Sequence, residues 1–362
     1  MHTYSEDKSF LEEQLSLIEL SDDSGSLLIA PQLQGRVLTS TIKANGLSFG
    51  WLNRTLIASK KTLPHCNNWG GEDRFWLGPE GGQYSLFFSP SAKDYSFDNW
   101  QTPSIIDTEG WELIEKDNTS AKFQTEALLT NHSGTHFRCL LQRQIKLEPT
   151  NLQPGNVKAI RFSSRNILKN IGDFSWNERT GMPSIWILGQ YNPSPKTKII
   201  IPVKAESREE INEDYFGKIG SERLQKTSSA LFFSADGKKR GKIGIPPSLS
   251  CSIAGAYDAE NDILTYIEFE APSTNVQYVN SMWEHQVQPF KGDVINAYND
   301  GPLEDGSIMG PFFELESSSP AARLKPGESI CHIQYTTHLI GNKEELRTVI
   351  KDKLHTDIEN AF

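Results

Sequence analysis

The stretch NNWGGEDRFWLGPEGGQYSLFF, residues 67–88, combines features that neither a plain strand nor a plain loop needs. It holds three acids, an arginine, two tryptophans and five glycines ahead of an apolar run. Each glycine costs backbone entropy on folding, and acidic and arginine side chains are almost never fully buried unless they are paired. The stretch therefore predicts a shaped polar pocket; a glycine-rich turn around a structural salt bridge is the simpler alternative.

The residue types of this stretch suit a sugar ligand. The apolar C–H face of a sugar ring stacks on an indole ring, while its hydroxyl groups need hydrogen-bond donors and acceptors of both kinds. Tryptophans beside carboxylates and a guanidinium meet both requirements in one place. The candidate substrate-binding residues in this stretch are Asn68, Glu72, Asp73, Arg74, Trp76 and Glu80.

A second polar stretch, residues 278–316, interrupts what the apolar pattern otherwise predicts as strand. Its tryptophan, acids, amides and histidine supply stacking, proton exchange and hydrogen bonding within a short span, as expected of a pocket wall. A long surface loop is the alternative interpretation. The candidate residues in this stretch are Trp283, His285, Gln286, Asp293, Asn296, Asn299 and Asp300.

The composition of the chain excludes several classes of partner. The chain has 362 residues and a formal net charge of −10, with no run of lysine and arginine. Nucleic acids and anionic membranes are therefore not expected as partners. The four cysteines stand far apart without a CxxC or Cys/His spacing, so we expect no metal site, no cofactor and no disulfide framework.

The start of the chain and its hydropathy bear on location and organisation. No segment approaches the length of a transmembrane helix, and MHTYSEDKSFLEEQ lacks the basic and apolar regions of a signal peptide. The sequence predicts a cytoplasmic protein, although a trimmed export signal would leave the same pattern. We expect residues 1–362 to form a single domain, with residues 1–20 and 342–362 as peripheral helical segments.

Helical patterns occur almost only at the two ends of the chain. Residues 9–17 open with a capping-box pattern, and residues 342–354 open with another and then repeat apolar residues on one face. Between them lie many short runs of β-branched and aromatic residues separated by turn signals. These runs predict roughly fifteen to twenty strands in an antiparallel sandwich of large, curved sheets.

Two motifs carry a family resemblance: WGGEDRFWLGPEGG at residues 69–82 and GPFFELESSSPAARLKPGES at residues 310–329. Together with the all-β pattern, they resemble the galactose mutarotase-like superfamily of aldose 1-epimerases and sugar-binding sandwiches. The chain is most similar to an uncharacterised bacterial branch of that group, over nearly its whole length. The resemblance implies an antiparallel β-supersandwich whose concave face binds a small-molecule carbohydrate.

The resemblance also implies roles for two residues. In the epimerases a glutamate near the C-terminus is the general base on the anomeric hydroxyl, and Glu314 falls where that glutamate falls. An arginine in the early polar segment holds ring hydroxyls, and Arg74 is the matching candidate.

The histidine that serves these epimerases as general acid has no counterpart here, because residues 157–202 contain no histidine. Trp186 and Gln190 stand near its place and are added to the candidate binding residues. Opening a hemiacetal needs both a base and an acid within hydrogen-bond reach. His65 and His285, each inside a polar segment, are the candidate acids.

Three functional classes are compatible with these residues. The first is a sugar epimerase or isomerase acting at the anomeric centre by general acid–base catalysis. The second is a non-catalytic carbohydrate-binding or sensing protein on the same scaffold. The third is a glycoside hydrolase or lyase that uses a pair of carboxylates, whose separation the sequence does not define.

Overall fold

The computed structural model describes residues 2–42, 46–150, 156–207, 209–271, 276–303 and 305–360. In this part of the chain the strands form three sheets, and strands are numbered in chain order. The three-stranded sheet contains β1 (Ile18–Ser21), β2 (Ser26–Ala30) and β3 (Arg36–Thr41). The five-stranded sheet contains, from edge to edge, β13 (Gly241–Ile245), β16 (Ile295–Asn299), β17 (Phe313–Ser318), β9 (Ser184–Tyr191) and β4 (Arg74–Gly78).

The third sheet has ten strands, and all strand pairs of the described residues are antiparallel. The prediction of an all-β antiparallel fold is therefore confirmed. From edge to edge, this sheet contains β11 (Leu224–Lys226), β12 (Ala230–Ser234), β10 (Thr197–Pro202), β14 (Ile253–Asp258), β15 (Ile263–Phe269), β18 (Ser329–Ile340), β8 (Lys158–Asn170), β7 (His136–Leu147), β6 (Ser120–Thr130) and β5 (Glu112–Lys116).

The apolar core lies between the ten-stranded and five-stranded sheets. Ile243, Phe313 and Leu315 of the five-stranded sheet belong to the same buried cluster as Ile199 and Ala254 of the ten-stranded sheet. Because successive side chains of a strand point to opposite faces, packing these residues inward leaves their neighbours on the outer face of the five-stranded sheet. That outer face carries the candidate site.

The C-terminal helix α3 (Lys343–Leu354) agrees with the sequence prediction. Asn342 accepts a hydrogen bond from the backbone N–H of Glu345 at 3.0 Å, and the Glu345 carboxylate accepts one from Asn342 at 3.2 Å. This capping box satisfies N–H groups that have no partner within the helix. The apolar side chains that the helix packs on the outer side of the ten-stranded sheet are Leu346, Val349, Ile350 and Leu354.

The N-terminal helix begins earlier than the sequence pattern indicates. The predicted helix over residues 9–17 is replaced by α1 (Tyr4–Glu12), so that prediction is wrong in its boundaries. Thr3 caps α1, and Glu6 returns a hydrogen bond to the Thr3 backbone N–H at 2.8 Å. The earlier start is favoured because it packs an apolar helix face against the three-stranded sheet.

One further helix, α2 (Arg54–Ser59), is short and begins after Asn53, whose side chain accepts a hydrogen bond from the Leu56 N–H at 3.0 Å. The sequence analysis does not predict it. No helix among the described residues has the length and apolar character needed to span a bilayer.

A buried ion pair connects the residue before β4 to the ten-stranded sheet. The Arg143 guanidinium of β7 pairs with the Asp73 carboxylate, and both side chains are fully buried. Arg143 also donates to the Asp73 backbone carbonyl at 3.0 Å, and the Ser164 hydroxyl donates to the Asp73 carboxylate at 2.8 Å. These contacts fix the entry of β4 into its sheet.

The preceding acid, Glu72, makes a second buried connection. Its carboxylate lies 2.9 Å from Nε2 of His338 on β18 and accepts a hydrogen bond from the Ser40 backbone N–H of β3 at 2.5 Å. Glu72 therefore joins the three-stranded sheet to the ten-stranded sheet.

We expect Arg143→Met to destabilise the protein strongly, because it leaves the Asp73 carboxylate buried without its partner. Breaking a buried ion pair from one side costs about 3–5 kcal/mol, and the free energy of unfolding in urea should fall by about that amount. Lys218→Met is the control, since the Lys218–Asp214 pair has side chains that are 72% and 71% exposed. Similar unfolding midpoints for the two variants would contradict the structural role of Arg143.

Candidate functional site

The outer face of the five-stranded sheet is lined by polar and aromatic side chains. Glu314 lies opposite Tyr298 on β16 and Gln190 on β9, and Glu316 lies two residues further along β17 on the same face. The residues of this surface, called here the polar face, are Arg74, Trp76, Trp186, Gln190, Lys242, Asn296, Tyr298, Glu314 and Glu316.

Glu314 sits at the centre of one hydrogen-bond group. Its carboxylate accepts hydrogen bonds from the Arg74 guanidinium at 3.1 Å and from the Gln190 amide at 2.9 Å. The same Gln190 amide nitrogen donates to Asn68 at 2.8 Å, and the Arg74 guanidinium lies 4.2 Å from the centroid of the Trp76 ring. The structure thus brings together five of the sequence-predicted site residues.

Glu316 sits at the centre of a second group. It is fully buried and accepts a hydrogen bond from the Trp186 indole N–H at 2.9 Å. The Lys242 ammonium lies 3.1 Å from the Glu316 carboxylate and also rests over the rings of Trp186, at 4.9 Å, and Tyr215, at 5.3 Å.

The two glutamates of β17 influence each other's protonation. Burial raises the pKa of the Glu314 carboxyl to about 8, and the Glu316 charge acts in the same direction, whereas Arg74 and Lys242 oppose the shift. Burial lowers the pKa of Lys242, but the charges of Glu316, Glu80 and Glu314 outweigh it and raise the pKa above its ordinary value. At neutral pH the lysine is therefore charged, and Glu314 largely holds its proton.

Two further carboxyl groups close to Lys242 titrate near neutral pH. Burial raises the pKa of Glu80 to about 7, although part of the residue is exposed. Burial likewise raises the pKa of Asp293 to about 6, against the hydrogen bond from the Tyr215 hydroxyl. Several carboxyl groups with raised pKa values around one lysine form a pattern that is common at functional sites.

Several buried polar atoms at or beside the polar face have no hydrogen-bond partner among the described residues. Such atoms are rare in native proteins, and an ordered water or a ligand group can satisfy them. They are Asn68 Nδ2, Arg74 Nε, Trp76 Nε1, Ser184 Oγ and Gln190 Oε1.

The two polar stretches of the sequence dock against each other beside this face. Gly81 approaches the backbone so closely that an added Cβ would lie 2.2 Å from the Met282 carbonyl oxygen. The Gln83 amide donates to the Gln286 carbonyl at 2.9 Å, and the Gln286 N–H donates back to Gln83 at 3.0 Å. Gly81 therefore serves a close backbone contact between the two stretches.

Trp283 lies in this docked region and is half-buried. Its ring stacks on Trp100 with centroids 5.7 Å apart and meets the edge of Phe88 at 5.3 Å. Its side chain also acts on the Glu80 carboxyl and lowers the pKa of that group, against the effect of burial. Trp283 thus has one side fixed by aromatic packing while part of the residue is exposed.

A side cavity extends from the polar face next to Asp293. The Asp293 carboxylate accepts hydrogen bonds from the Tyr215 hydroxyl at 2.7 Å and from the Asn212 amide at 3.2 Å. Gly244 makes room for it, because a Cβ there would lie 1.9 Å from Asp293 Oδ2. The cavity encloses about 10 Å³, roughly the space of one water molecule. It is lined by Gly78, Ser184, Trp186, Tyr215, Val279, Ser281, Asp293, Asn296 and Ser318.

Some sequence-predicted binding residues do not reach the polar face. Glu72 and Asp73 are fully buried in the connections between sheets described above. The Gln286 amide donates to two carbonyls of its own loop, at 3.0 and 2.7 Å. The Asn299 amide donates a hydrogen bond to the Lys239 carbonyl at 2.8 Å and so stabilises the turn beside it. These four residues therefore make structural contacts away from the polar face.

Asp300 lies at the rim of the polar face. It accepts hydrogen bonds from the Tyr298 hydroxyl at 2.5 Å and from the Gly310 N–H at 2.9 Å. The Arg240 guanidinium lies 3.5 Å from its carboxylate. Asp300 is fully buried among these partners.

The two candidate acid histidines lie outside the hydrogen-bond groups of Glu314 and Glu316. His65 Nδ1 is 2.6 Å from the Trp100 carbonyl oxygen, and its ring packs against Phe97. His285 is exposed in the loop after Trp283. No histidine is therefore among the partners of either glutamate in the part of the chain that the structure describes.

Sequence reasoning missed Glu316, Lys242 and Tyr215. Glu316 had a signal, because the E-L-E alternation places two acids on one face of a strand. Lys242 and Tyr215 had none, since a single lysine in a glycine-containing strand and a tyrosine in a charged loop are common on ordinary surfaces. Their position depends on strand pairing that joins distant parts of the chain.

Comparisons with known proteins agree with this architecture. The chain belongs to the Family of unknown function (DUF6786), whose model matches residues 2–361. No curated protein sequence is significantly similar to it. Among solved structures it is similar to a putative aldose 1-epimerase from Escherichia coli K12, with 12% identity and a TM-score of 0.53, covering 89% of this chain and 98% of that one.

Two other solved structures give the same result. A protein from Synechocystis sp. PCC 6803 has 13% identity and a TM-score of 0.54, covering 90% of this chain and 96% of that one. A galactose mutarotase-like protein from Lactobacillus casei ATCC 334 has 10% identity and a TM-score of 0.50, covering 90% and 100%. At such identities the likeness concerns the fold, and the predicted galactose mutarotase-like fold is confirmed.

We expect the pKa of Glu314 to respond in opposite directions to two substitutions. Glu316→Gln removes a charge that raises this pKa and should lower it, whereas Lys242→Met removes a charge that lowers it and should raise it. Infrared difference spectra of the carboxyl groups, assigned with Glu314→Gln, measure both shifts. Glu284→Gln, at an exposed position, is the control. A Glu314 carboxyl that titrates at its ordinary value in the wild type would contradict this electrostatic description.

Proposed function

We propose that this member of the DUF6786 family binds a carbohydrate on the polar face, and that Glu314 transfers a proton at the anomeric centre of a free sugar. The observation that carries the proposal is the placement of Glu314 between Arg74 and Gln190, with a pKa raised to about 8. A carboxyl group with a pKa near the working pH is suited to general acid–base catalysis.

The mixture of groups on the polar face supports a sugar as the ligand. Arg74, Lys242 and the amides donate hydrogen bonds, the carboxylates accept them, and a sugar hydroxyl does both. Aromatic rings lie directly beside these groups, as shown by Arg74 over Trp76 and Lys242 over Trp186. The unpartnered buried atoms described above are further positions for ligand hydroxyls.

The proposed reaction is the interconversion of the two anomers of a sugar. Ionised Glu314 takes the proton of the anomeric hydroxyl, the bond between the anomeric carbon and the ring oxygen breaks, and the ring oxygen gains a proton. The resulting aldehyde closes again from either face. The Lys242 ammonium supplies the donor for the ring oxygen. Lys242 lies two strands away from Glu314 in the same sheet, so that the two backbones are about 10 Å apart.

The described relatives support this assignment only through the fold that they share with the chain. The printed name of the Escherichia coli protein is putative aldose 1-epimerase. Carbohydrate binding without catalysis is the second candidate, and one observation favours it: the neutral Gln190 amide occupies the position beside Glu314. An amide donates a hydrogen bond but does not exchange a proton at ordinary pH.

We expect Glu314→Gln to abolish anomerisation while the protein still binds sugar. In the wild type the rate should rise with pH through about 8 and then level off, because the base works only when ionised and its folded pKa lies there. Polarimetry or exchange NMR of freshly dissolved sugars measures the rate, and Glu328→Gln at an exposed position is the control. Binding without any anomerisation between pH 5 and 9 would instead identify a binding protein.

We expect Trp283→Ala to weaken sugar binding by at most a few kcal/mol, the range of aromatic contacts at binding sites. The half-exposed ring offers a stacking surface, while Trp100 on its other side stays in place. Calorimetric titration measures the effect, and Val287→Ala is the control because Val287 lies in the same loop and is 96% exposed. If the variant unfolds, Trp283 is a core residue and its assignment to binding fails.

A further inference from the structure

The polar face and the residues beside it carry more acidic than basic side chains. Arg74 and Lys242 are the two cations of the polar face, and each is already paired: Arg74 with Glu314 at 3.1 Å and Lys242 with Glu316 at 3.1 Å. At the rim, Arg240 lies 3.5 Å from Asp300. An anionic group of a ligand would have to displace a carboxylate of the protein to pair with either cation of the face.

Two other carboxyl groups at this site have neutral hydrogen-bond partners. Glu80 interacts with the Trp283 side chain, and Asp293 accepts hydrogen bonds from the Tyr215 hydroxyl and the Asn212 amide, while the Lys242 charge favours the ionised form of both acids. Neither Glu80 nor Asp293 has a salt bridge to a lysine or arginine among the described residues. When Glu80 and Asp293 are ionised together with Glu316, these three carboxylates exceed the two cations of the face even while Glu314 holds its proton.

An independent observation is an unpartnered polar group next to Asp293, in a cavity with room for one water-sized group such as a ligand hydroxyl. The Ser184 hydroxyl lines the side cavity next to Asp293, is fully buried, and has no hydrogen-bond partner. The cavity walls also contain Ser281, Ser318 and Asn296. A hydroxyl or a protonated amine satisfies such a lining, because each can donate to Asp293 and the serine oxygens. A carboxylate or phosphate cannot donate in this way once it is ionised.

Resting on the proposed function, we propose that this site selects a sugar without negative charge, neutral or bearing a protonated amine, over a uronate or a sugar phosphate. In a largely buried site, Coulomb repulsion between like charges is much stronger than in water. A neutral sugar avoids it, and its hydroxyls donate to Glu80 and Asp293. An amino sugar adds an attractive charge. Like-charge juxtaposition is a recurrent means of rejecting wrong ligands.

Calorimetric titration with matched sugars tests this selectivity. At pH 7.5 and low salt, glucose and glucosamine are compared with glucuronate and glucose 6-phosphate, and the galactose series is measured in the same way. We expect the neutral or amino member of the preferred series to bind at least about tenfold more tightly than its anionic counterparts. A uronate or phosphate that binds as tightly as the neutral sugar overturns the selectivity while leaving the proposed function intact. If no sugar of either series binds, the proposed function fails and the selectivity fails with it.

Two substitutions that conserve side-chain volume test whether Glu80 and Asp293 are the origin of the selectivity. Glu80→Gln and Asp293→Asn each remove one negative charge, and each should reduce the preference for neutral and amino sugars over anions severalfold. Glu284→Gln, exposed in the loop beside Trp283, is the matched control and should leave the preference unchanged. Urea unfolding shows whether the variants keep their fold. If both folded variants discriminate as strongly as the wild type, Glu80 and Asp293 are not the origin of the selectivity.

Discussion

The ion pair of Asp73 and Arg143 is the constraint on which much of this structure depends. Both side chains are fully buried, and two charges are stable in such a place only when each is paired and hydrogen-bonded. The pair therefore allows one arrangement of the backbone that enters β4. Glu72, one residue earlier, adds its contact with His338 on β18 and Ser40 on β3. Two adjacent acids thus bind the three sheets together before β4 begins.

This fixed entry determines the candidate site. With Asp73 held by β7, Arg74 must point to the opposite side of the strand, where it meets Glu314. Trp76 follows on the same face, and its ring receives the Arg74 guanidinium. The apolar side of the same sheet packs on the ten-stranded sheet through residues such as Leu315. Glu314 and Glu316 therefore point to the polar face because the other side of β17 packs in the core.

The sequence was sufficient for the fold class and for part of the site. Short alternating runs predicted the antiparallel sheets, and the Asn342 capping box predicted α3, because both signals are local. Local composition identifies the charged cluster but does not separate its members: Glu72 and Asp73 face the interior, and only Arg74 faces Glu314. Separating them requires knowledge of which distant strands supply Arg143 and His338. That information is absent from local patterns.

No histidine lies beside Glu314 in the part of the chain that the structure describes, which restricts the groups that the proposed reaction can use for proton transfer. The Gln190 amide retains a hydrogen bond to Glu314 but has no titrating proton. In the proposed reaction, proton abstraction therefore falls to Glu314, whose pKa burial has raised, and the charged Lys242 ammonium is the proton donor. Interacting acids titrate as a group, so the protonation of Glu314 and of Glu80 depends on every charge near Lys242, including that of a ligand. A ligand that adds negative charge would raise these pKa values further and suppress the ionised base. Under the proposed function, the electrostatics that favours proton transfer at Glu314 therefore also restricts the charge of the ligand.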